Sequence, residues 1–271
     1  MNRKIGFIGA GNVATTIIEG LIDTYPQACN NVYISNRNKN KGRSLQKKLN
    51  INFCENNVDV IKACEVFFIC VKPDNYLEVL KEIKSFISKD SLIISIAAGI
   101  SIDYIQGILG TSFKIVRAMP NIAVSVRTGM TTISANNNVT EKELNLVMDI
   151  FNSIGLADVI DEDLIDVATI ISSCSPAFVA MFIEALADGG VLQGMSRDKA
   201  YKYVAQSMMG TAKMIVDLEK HPGELKDLVS SPAGITIEGV YNLEKNGFRS
   251  IIMEAIEACN LKIKSLTDRK K

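Results

Sequence analysis

From Lys4 to about Ile160, short apolar runs rich in β-branched and aromatic residues alternate with amphipathic stretches of helical period, the order that feeds a parallel sheet through βαβ units. The runs predict strands at Lys4–Ile8, Asn31–Ser35, Glu65–Val71, Ser91–Ile96, Lys114–Ala118 and Met130–Ser134. VFFICV (66–71) and SLIISIAA (91–98) are apolar on both faces, as strands covered by helices on both sides are. Helices are predicted between the strands, for example at Asn12–Asp23 and Asn75–Phe86. Thr140 with Glu143 three residues later reads as a capping box opening a helix to Ser153.

After Asp161 the alternation stops, and small residues and methionines recur at helical spacing through FVAMFIEALADGGVLQG, YKYVAQSMMGTAKMIVDLE and SIIMEAIEACNLKIKSL. The expected organisation is an α/β domain with a parallel sheet over 1–160, followed by an all-α helical domain over 161–271. Inner faces of Ala, Gly and Ser let helix backbones approach closely and suit contact with a second copy of the chain. The apolar zone Leu164–Leu192 is broken by Asp166, Pro176, Glu184 and Asp188, which predicts a core helix rather than a membrane span. The basic end, DRKK (268–271), is expected to fray.

Composition narrows the function. With 271 residues and 47% hydrophobic content the chain can bury one or two cores, and 30 Lys+Arg against 30 Asp+Glu give no net charge to advertise nucleic acid or an anionic membrane as partner. A small-molecule ligand is expected. The N-terminus lacks a secretory pattern, and the six cysteines (29, 54, 64, 70, 174, 259) show no C-x-x-C spacing. They read as reduced core thiols of a cytoplasmic protein, with no metal. The single histidine, His221, has no nucleophile motif to serve and is expected to brace its loop.

KIGFIGAGNVA (4–14) places G-x-G-x-x-A at the junction of a predicted strand and helix, the dinucleotide fingerprint, which makes the expected α/β domain over 1–160 a Rossmann-type dinucleotide-binding domain. Ile8, Gly9, Ala10, Gly11, Asn12, Val13 and Ala14 are therefore cofactor-binding candidates: Gly9 for the turn, Gly11 for approach of the diphosphate, Ala14 for close helix packing, and the helix start for the phosphates. The second strand ends in Ser35-Asn36-Arg37, without the carboxylate that would select NAD(H). Arg37, followed by Lys39, Lys41 and Arg43, offers a donor fork for a 2′-phosphate, so NADP(H) is expected over NAD(H).

Beside that fingerprint, CVKP (70–73), SIAAGIS (95–101), RAMPN (117–121), SCSPAFVAMFIEALADGGVLQGMSRDKA (173–200) and HPGELKDLVSSPAGITIEG (221–239) resemble the pyrroline-5-carboxylate reductases, over essentially the whole chain and in the family's order. The resemblance implies reduction of 1-pyrroline-5-carboxylate to L-proline with NADPH, the last step of proline biosynthesis. It places Val71, Lys72 and Pro73 along the nicotinamide ribose, Ala97, Ala98 and Gly99 against the same half of the cofactor, and Asn57 near the adenosine. Pro120 and Asn121 are implied to shape the floor of the site. For the substrate it implies a carboxylate cradle at Ser231, Ala233, Gly234 and Ile235, with Glu219 near the ring nitrogen and Thr236, as the catalytic residue, accepting from the ring N–H. It further implies a homodimer with interlocked helical domains, sometimes joined into larger rings, whose site lies where two chains meet.

Two motifs depart from the family's pattern. G-S-G-P-A-Y is Ser173-Cys174-Ser175-Pro176-Ala177-Phe178 here, and S-P-G-G-x-T has Ala233 at its first glycine. A Cβ there is harmless unless the residue needs positive φ, where it costs about 1 kcal/mol. These departures motivate the alternative of a non-catalytic or regulatory paralogue, and pocket packing leaves open a related cyclic imine carboxylate. A β-hydroxyacid dehydrogenase would need a Lys base in K-x-x-x-N in the helical half, whereas Lys48–Asn52 supplies that pattern only in the cofactor half.

Overall fold

The computed structural model describes residues 3–268; residues 269–271 of the basic end lie outside the described residues. The chain divides into two compact units, one holding residues up to Ser173 and those from Ile263 on, the other Cys174–Lys262.

The first unit is built on one sheet of β1 (Ile5–Ile8), β2 (Val32–Ser35), β3 (Asn52–Cys54), β4 (Val66–Ile69), β5 (Leu92–Ser95), β6 (Lys114–Pro120), β7 (Gly129–Ala135) and β8 (Gly155–Val159). Their order is β3-β2-β1-β4-β5-β6-β7-β8, parallel throughout except for the antiparallel pair β6–β7. β2 and β4 flank β1, so the order reverses there and opens a crevice at the carboxyl ends of the strands. The connecting helices are α1 (Asn12–Thr24), α2 (Lys39–Leu49), α3 (Asn57–Ala63), α4 (Tyr76–Ile83), α5 (Ile102–Leu109), α6 (Glu141–Asn152) and α7 (Ile165–Thr169).

Alternation along the strands fills two core layers. Phe7 and Phe68 face one side, stacked with ring centroids 4.6 Å apart and met edge-on by Phe151 of α6. Ile8, Phe67 and Ile69 face the other side with Tyr76 and Val60. A strand buried on both faces has no solvent side to call for alternating polar residues, which is why these runs read as nearly continuously apolar. The box at Thr140 is present in both halves: Glu143 N–H donates to the Thr140 hydroxyl, and Glu143 Oε2 accepts from Thr140 N–H at 3.0 Å. Lys114 Nζ donates to the other carboxylate oxygen at 2.8 Å. Burial would raise the Glu143 carboxyl, but the bonds from Lys114 and Thr140 hold it below its ordinary value.

Two strands were not expected. β3 is three half-buried residues, and β8 buries only Ala157, so neither carries an apolar run. The expected helix Asn75–Phe86 is α4 closed by a 3₁₀ turn at Lys84–Phe86. The first unit also runs past the expected division at 160/161, because Arg117 of β6 pairs with Glu162 and Asp166 and ties that segment to the sheet.

The second unit is helical: α8 (Ser175–Leu192), α9 (Arg197–Asp217), α10 (Pro222–Leu228), α11 (Ile235–Lys245) and most of α12 (Phe248–Asp268). Phe182 and Phe248 rings approach to 5.7 Å, and Asp188 of α8 pairs with Arg197 of α9. Among its described residues the buried hydrophobics are only Ala187, Ala200 and Leu225, while Leu192, Met181, Val216 and Met253 stand exposed. The Glu162–Leu192 stretch is long and apolar enough by length and composition to cross a membrane, yet only 11% of its apolar window is buried. The expectation of a core helix is met within one chain only at Ile165, Ile170 and Ala187, which are buried, while most of the other apolar side chains of the stretch are left partly or fully exposed. All six cysteines are free, though only Cys64 is fully buried; burial, then the neighbouring Cys54, pushes its thiol up to about 12.

Candidate functional site

At the crevice, β1 gives way to Gly9, whose φ of +92° and whose approach to the Cys70 carbonyl, 2.9 Å from where a Cβ would sit, both demand glycine. Gly11 then caps α1 without any side-chain cap, and a Cβ on it would meet nothing within 4 Å. The first-turn N–H groups of Asn12 and Val13 therefore have no capping side chain, at an end that carries partial positive charge. Such an opening fits a diphosphate. Ile8, Ala10 and Ala14 are buried and set this turn by packing.

A groove of about 420 Å³ runs from this turn past Gly9, Gly11, Asn36, Arg37, Lys39, Asn57, Val71 and Lys72. The Asn36 amide holds its shape, since Asn36 Oδ1 accepts from Ala10 N–H at 3.2 Å and Nδ2 donates to the Asn38 carbonyl at 2.9 Å. Ser35 lies behind the groove and donates to Asn57 Oδ1 at 2.7 Å, while Asn57 Nδ2 donates to Glu82 at 2.7 Å. Of the four basic residues, Arg37 and Lys39 face the groove. Arg37 is exposed and without an ion-pair partner among the described residues, whereas Arg43 pairs with Glu55 at 2.7 Å and Lys41 lines a separate surface recess.

A second cavity, also about 420 Å³, opens beside the first; Lys72 lines both. Its walls include Pro73, Ala98, Gly99, Arg117, Met119 and Thr169. Ala97 is turned into the core. The Tyr76 hydroxyl lies 2.6 Å from Ser95 Oγ and 3.2 Å from the Ile69 carbonyl, so it joins the ends of β4 and β5 from which two of these walls depart. Arg117 and Tyr76 escaped the sequence reading: each is a polar group inside an apolar pattern, with partners distant in sequence.

Pro120 ends β6. Asn121 has its side chain fully engaged: Oδ1 accepts from Ala123 N–H and Met130 N–H, both at 3.1 Å, and Nδ2 donates to the Ser172 carbonyl at 2.9 Å. It shapes the loop rather than offering a free amide.

The remaining expected residues belong to the second unit. Ser231 to Gly234 form a turn closed by Gly234 N–H donating to the Ser231 carbonyl at 3.0 Å, with Pro232 second and Ala233 third. Ala233 has a φ of 53°, the left-handed conformation that favours glycine at the third position of a type II turn. Gly234 caps α11 with no side-chain cap, and a Cβ on it would lie 2.2 Å from Ser231 Oγ. Ile235 is 95% exposed, and Thr236 is exposed in the first helical turn. These are free donors and a hydroxyl suited to a small carboxylate and an adjoining N–H. Glu219 is exposed with a φ of 51°. His221 Nδ1 accepts from Gly223 N–H at 3.1 Å and so caps α10. Lys48 pairs with Glu19 on the surface and Asn52 binds the Asn30 and Val32 carbonyls, so the K-x-x-x-N pattern is structural.

Comparison with known proteins gives the same picture. Residues 162–266 match the family described as pyrroline-5-carboxylate reductase dimerisation, and residues 4–99 match that described as NADP oxidoreductase, coenzyme F420-dependent. The pyrroline-5-carboxylate reductase of Escherichia coli K12 is 43% identical, covering 98% of this chain and 99% of its own. A Coxiella burnetii pyrroline-5-carboxylate reductase superposes with a TM-score of 0.94 at 30% identity, covering 98% and 99%. The Plasmodium falciparum pyrroline carboxylate reductase, solved with NADP bound, superposes with a TM-score of 0.85 at 34% identity, covering 98% of each chain.

Proposed function

This chain belongs to the pyrroline-5-carboxylate reductase family, and we infer from that membership and from its two uncapped helix starts that it reduces 1-pyrroline-5-carboxylate to L-proline with NADPH. The observation that carries the reading is that pair of starts: α1 opens at Gly11 and α11 at Gly234, each on the motif that the reaction requires and each with unspent N–H donors.

NADPH, when bound, supplies the hydride that turns the C=N carbon into CH. The α1 start holds the diphosphate, with Arg37 and Lys39 against the 2′-phosphate and Asn57 near the adenosine. Lys72, Pro73, Ala98 and Gly99 wall the nicotinamide end. The backbone of the turn Ala233–Ile235 holds the substrate carboxylate through N–H groups other than that of Gly234, which the Ser231 carbonyl takes, and Thr236 Oγ1 accepts from the ring N–H. A protonated imine is already electrophilic and its nitrogen keeps its proton in the product, so the residues need only position the ring and exclude water. Positioning of this kind lowers a barrier by roughly 7–11 kcal/mol in favourable cases. That suits a site whose candidates include no histidine.

The chain is a homo-oligomer, and we assign it as a homodimer: the exposed apolar helices of the second unit fall in the dimerisation match. We keep the functional division at 160/161, supported by the start of that match at residue 162. A cytoplasmic location agrees with six free thiols. Steady-state oxidation of NADPH and NADH with synthetic pyrroline-5-carboxylate tests the reaction: turnover with NADPH preferred supports it, and cofactor binding without turnover overturns it. Light scattering after size exclusion showing only monomer overturns the dimer.

A further inference from the structure

Arg117 is a buried cation, 5% exposed, in the middle of β6. Its Nη2 donates to Asp166 at 2.8 Å and its Nη1 to Glu162 at 3.3 Å, while its Nε is buried without a partner. Burying a guanidinium is costly, and an apolar side chain would fill the same space with less desolvation, so a charge kept here needs a reason beyond stability.

The partners supply one. The Glu162 oxygen that takes Arg117 also accepts from Ile102 N–H at 2.8 Å, at the first residue of α5. That helix follows, after Ile100 and Ser101, on Ala98-Gly99, one wall of the second cavity. Asp166 and Thr169 of α7 form another wall, and Arg117 and Met119 a third. Two carboxylates and one guanidinium thus fix three walls of the cavity to one another. Asn121, holding the Ser172 carbonyl, fastens the far end of the same segment.

We propose that Arg117, Glu162 and Asp166 are positioning residues that set the width of the nicotinamide-end cavity and thereby the placement of the reacting ring. The proposal rests on the reading of this chain as an NADPH-dependent reductase. Charge alone is not the point: the fork of Arg117 meets two separate carboxylates, and that geometry, with the bond from Ile102 N–H to Glu162, relates α5 to α7.

The test compares NADP+ with adenosine 2′,5′-bisphosphate, which lacks the nicotinamide half, by calorimetry on the full-length protein and its Asp166→Asn and Glu162→Gln variants. Both variants keep the shape of the side chain, and Glu162→Gln keeps an acceptor for Ile102 N–H. The expected result is NADP+ affinity lowered about tenfold with bisphosphate affinity within about twofold of wild type. In turnover, kcat falls roughly ten- to a hundredfold, more than KM for NADPH rises. Asp166→Glu, which restores the charge, recovers part of the NADP+ affinity. Equal losses for both ligands, or none for either, overturn the proposal. A wild type that binds both ligands but turns over no pyrroline-5-carboxylate overturns the reaction instead, and the binding contrast still decides the positioning role.

Discussion

The Asn121 side-chain amide donates to the Ser172 carbonyl at 2.9 Å, and Pro176, four residues on, has no N–H to compete for that carbonyl. The intervening residues, Ile170–Cys174, are a π-helical segment. RAMPN thereby meets, at one hydrogen bond, the residue that precedes SCSPAF. Asn121→Ala removes this bond and the two accepted from Ala123 and Met130, and should cost about 2–4 kcal/mol in urea unfolding. Pro176→Ala supplies a competing N–H, so the loss from Asn121→Ala should shrink in that background; a double-mutant cycle with no coupling would refute the link.

Cofactor choice should turn on Arg37. It faces the groove unpaired, whereas Arg43 is held by Glu55 and lies over the Phe53 ring. Arg37→Ala should raise KM for NADPH about tenfold or more and leave KM for NADH nearly unchanged, since a charge-assisted contact to phosphate is lost only with the phosphorylated cofactor. Arg43→Ala should shift the ratio much less. Equal effects on the two cofactors would show that Arg37 does not meet the 2′-phosphate.

The sheet was legible where strands are buried on both faces, as at Phe67 and Phe68, because burial leaves a continuous apolar signature. It was illegible at β3 and β8, whose edge positions leave Asn52, Leu156 and Val159 partly in solvent. The fingerprint turn was readable because Gly9 and Gly11 each answer a local demand. Arg117 was not, since its partners stand at Glu162 and Asp166 and no local period announces them. Ser231–Thr236 came forward only through resemblance: the turn is exposed, and exposed residues carry no burial pattern.

Acid stability should report on Glu143. Its carboxyl is held below the ordinary value by Lys114 and Thr140 against the opposing effect of burial, so it contributes stability that is present above the unfolded value and lost as pH falls through the folded one. Glu143→Gln should therefore cost about 1–3 kcal/mol at neutral pH. The difference from wild type should shrink as pH drops below 4.5, the ordinary value of the group. Chemical denaturation at pH 7 and at acid pH measures both; a difference independent of pH would mean the carboxylate charge is not what stabilises α6.

The substrate turn makes the sharpest demand on sequence, because Ala233 occupies a φ of 53° just before the uncapped start of α11. Its Cβ costs about 1 kcal/mol there, and glycine's greater freedom in the unfolded chain offsets about 0.5–1 kcal/mol, so Ala233→Gly should leave global stability nearly unchanged. The local effect is different: a relaxed turn presents its N–H groups with less strain, so KM for the imine should fall while kcat holds. Ala233→Val, β-branched at positive φ, should raise KM. Thr236→Val removes the acceptor for the ring N–H at nearly constant shape and should lower kcat/KM roughly ten- to a hundredfold, mainly through kcat. The two residues thus separate holding the carboxylate from orienting the ring, and steady-state kinetics with pyrroline-5-carboxylate distinguishes them. If Ala233 variants moved kcat rather than KM, or Thr236→Val left kcat/KM unchanged, the division of labour within this turn would be wrong.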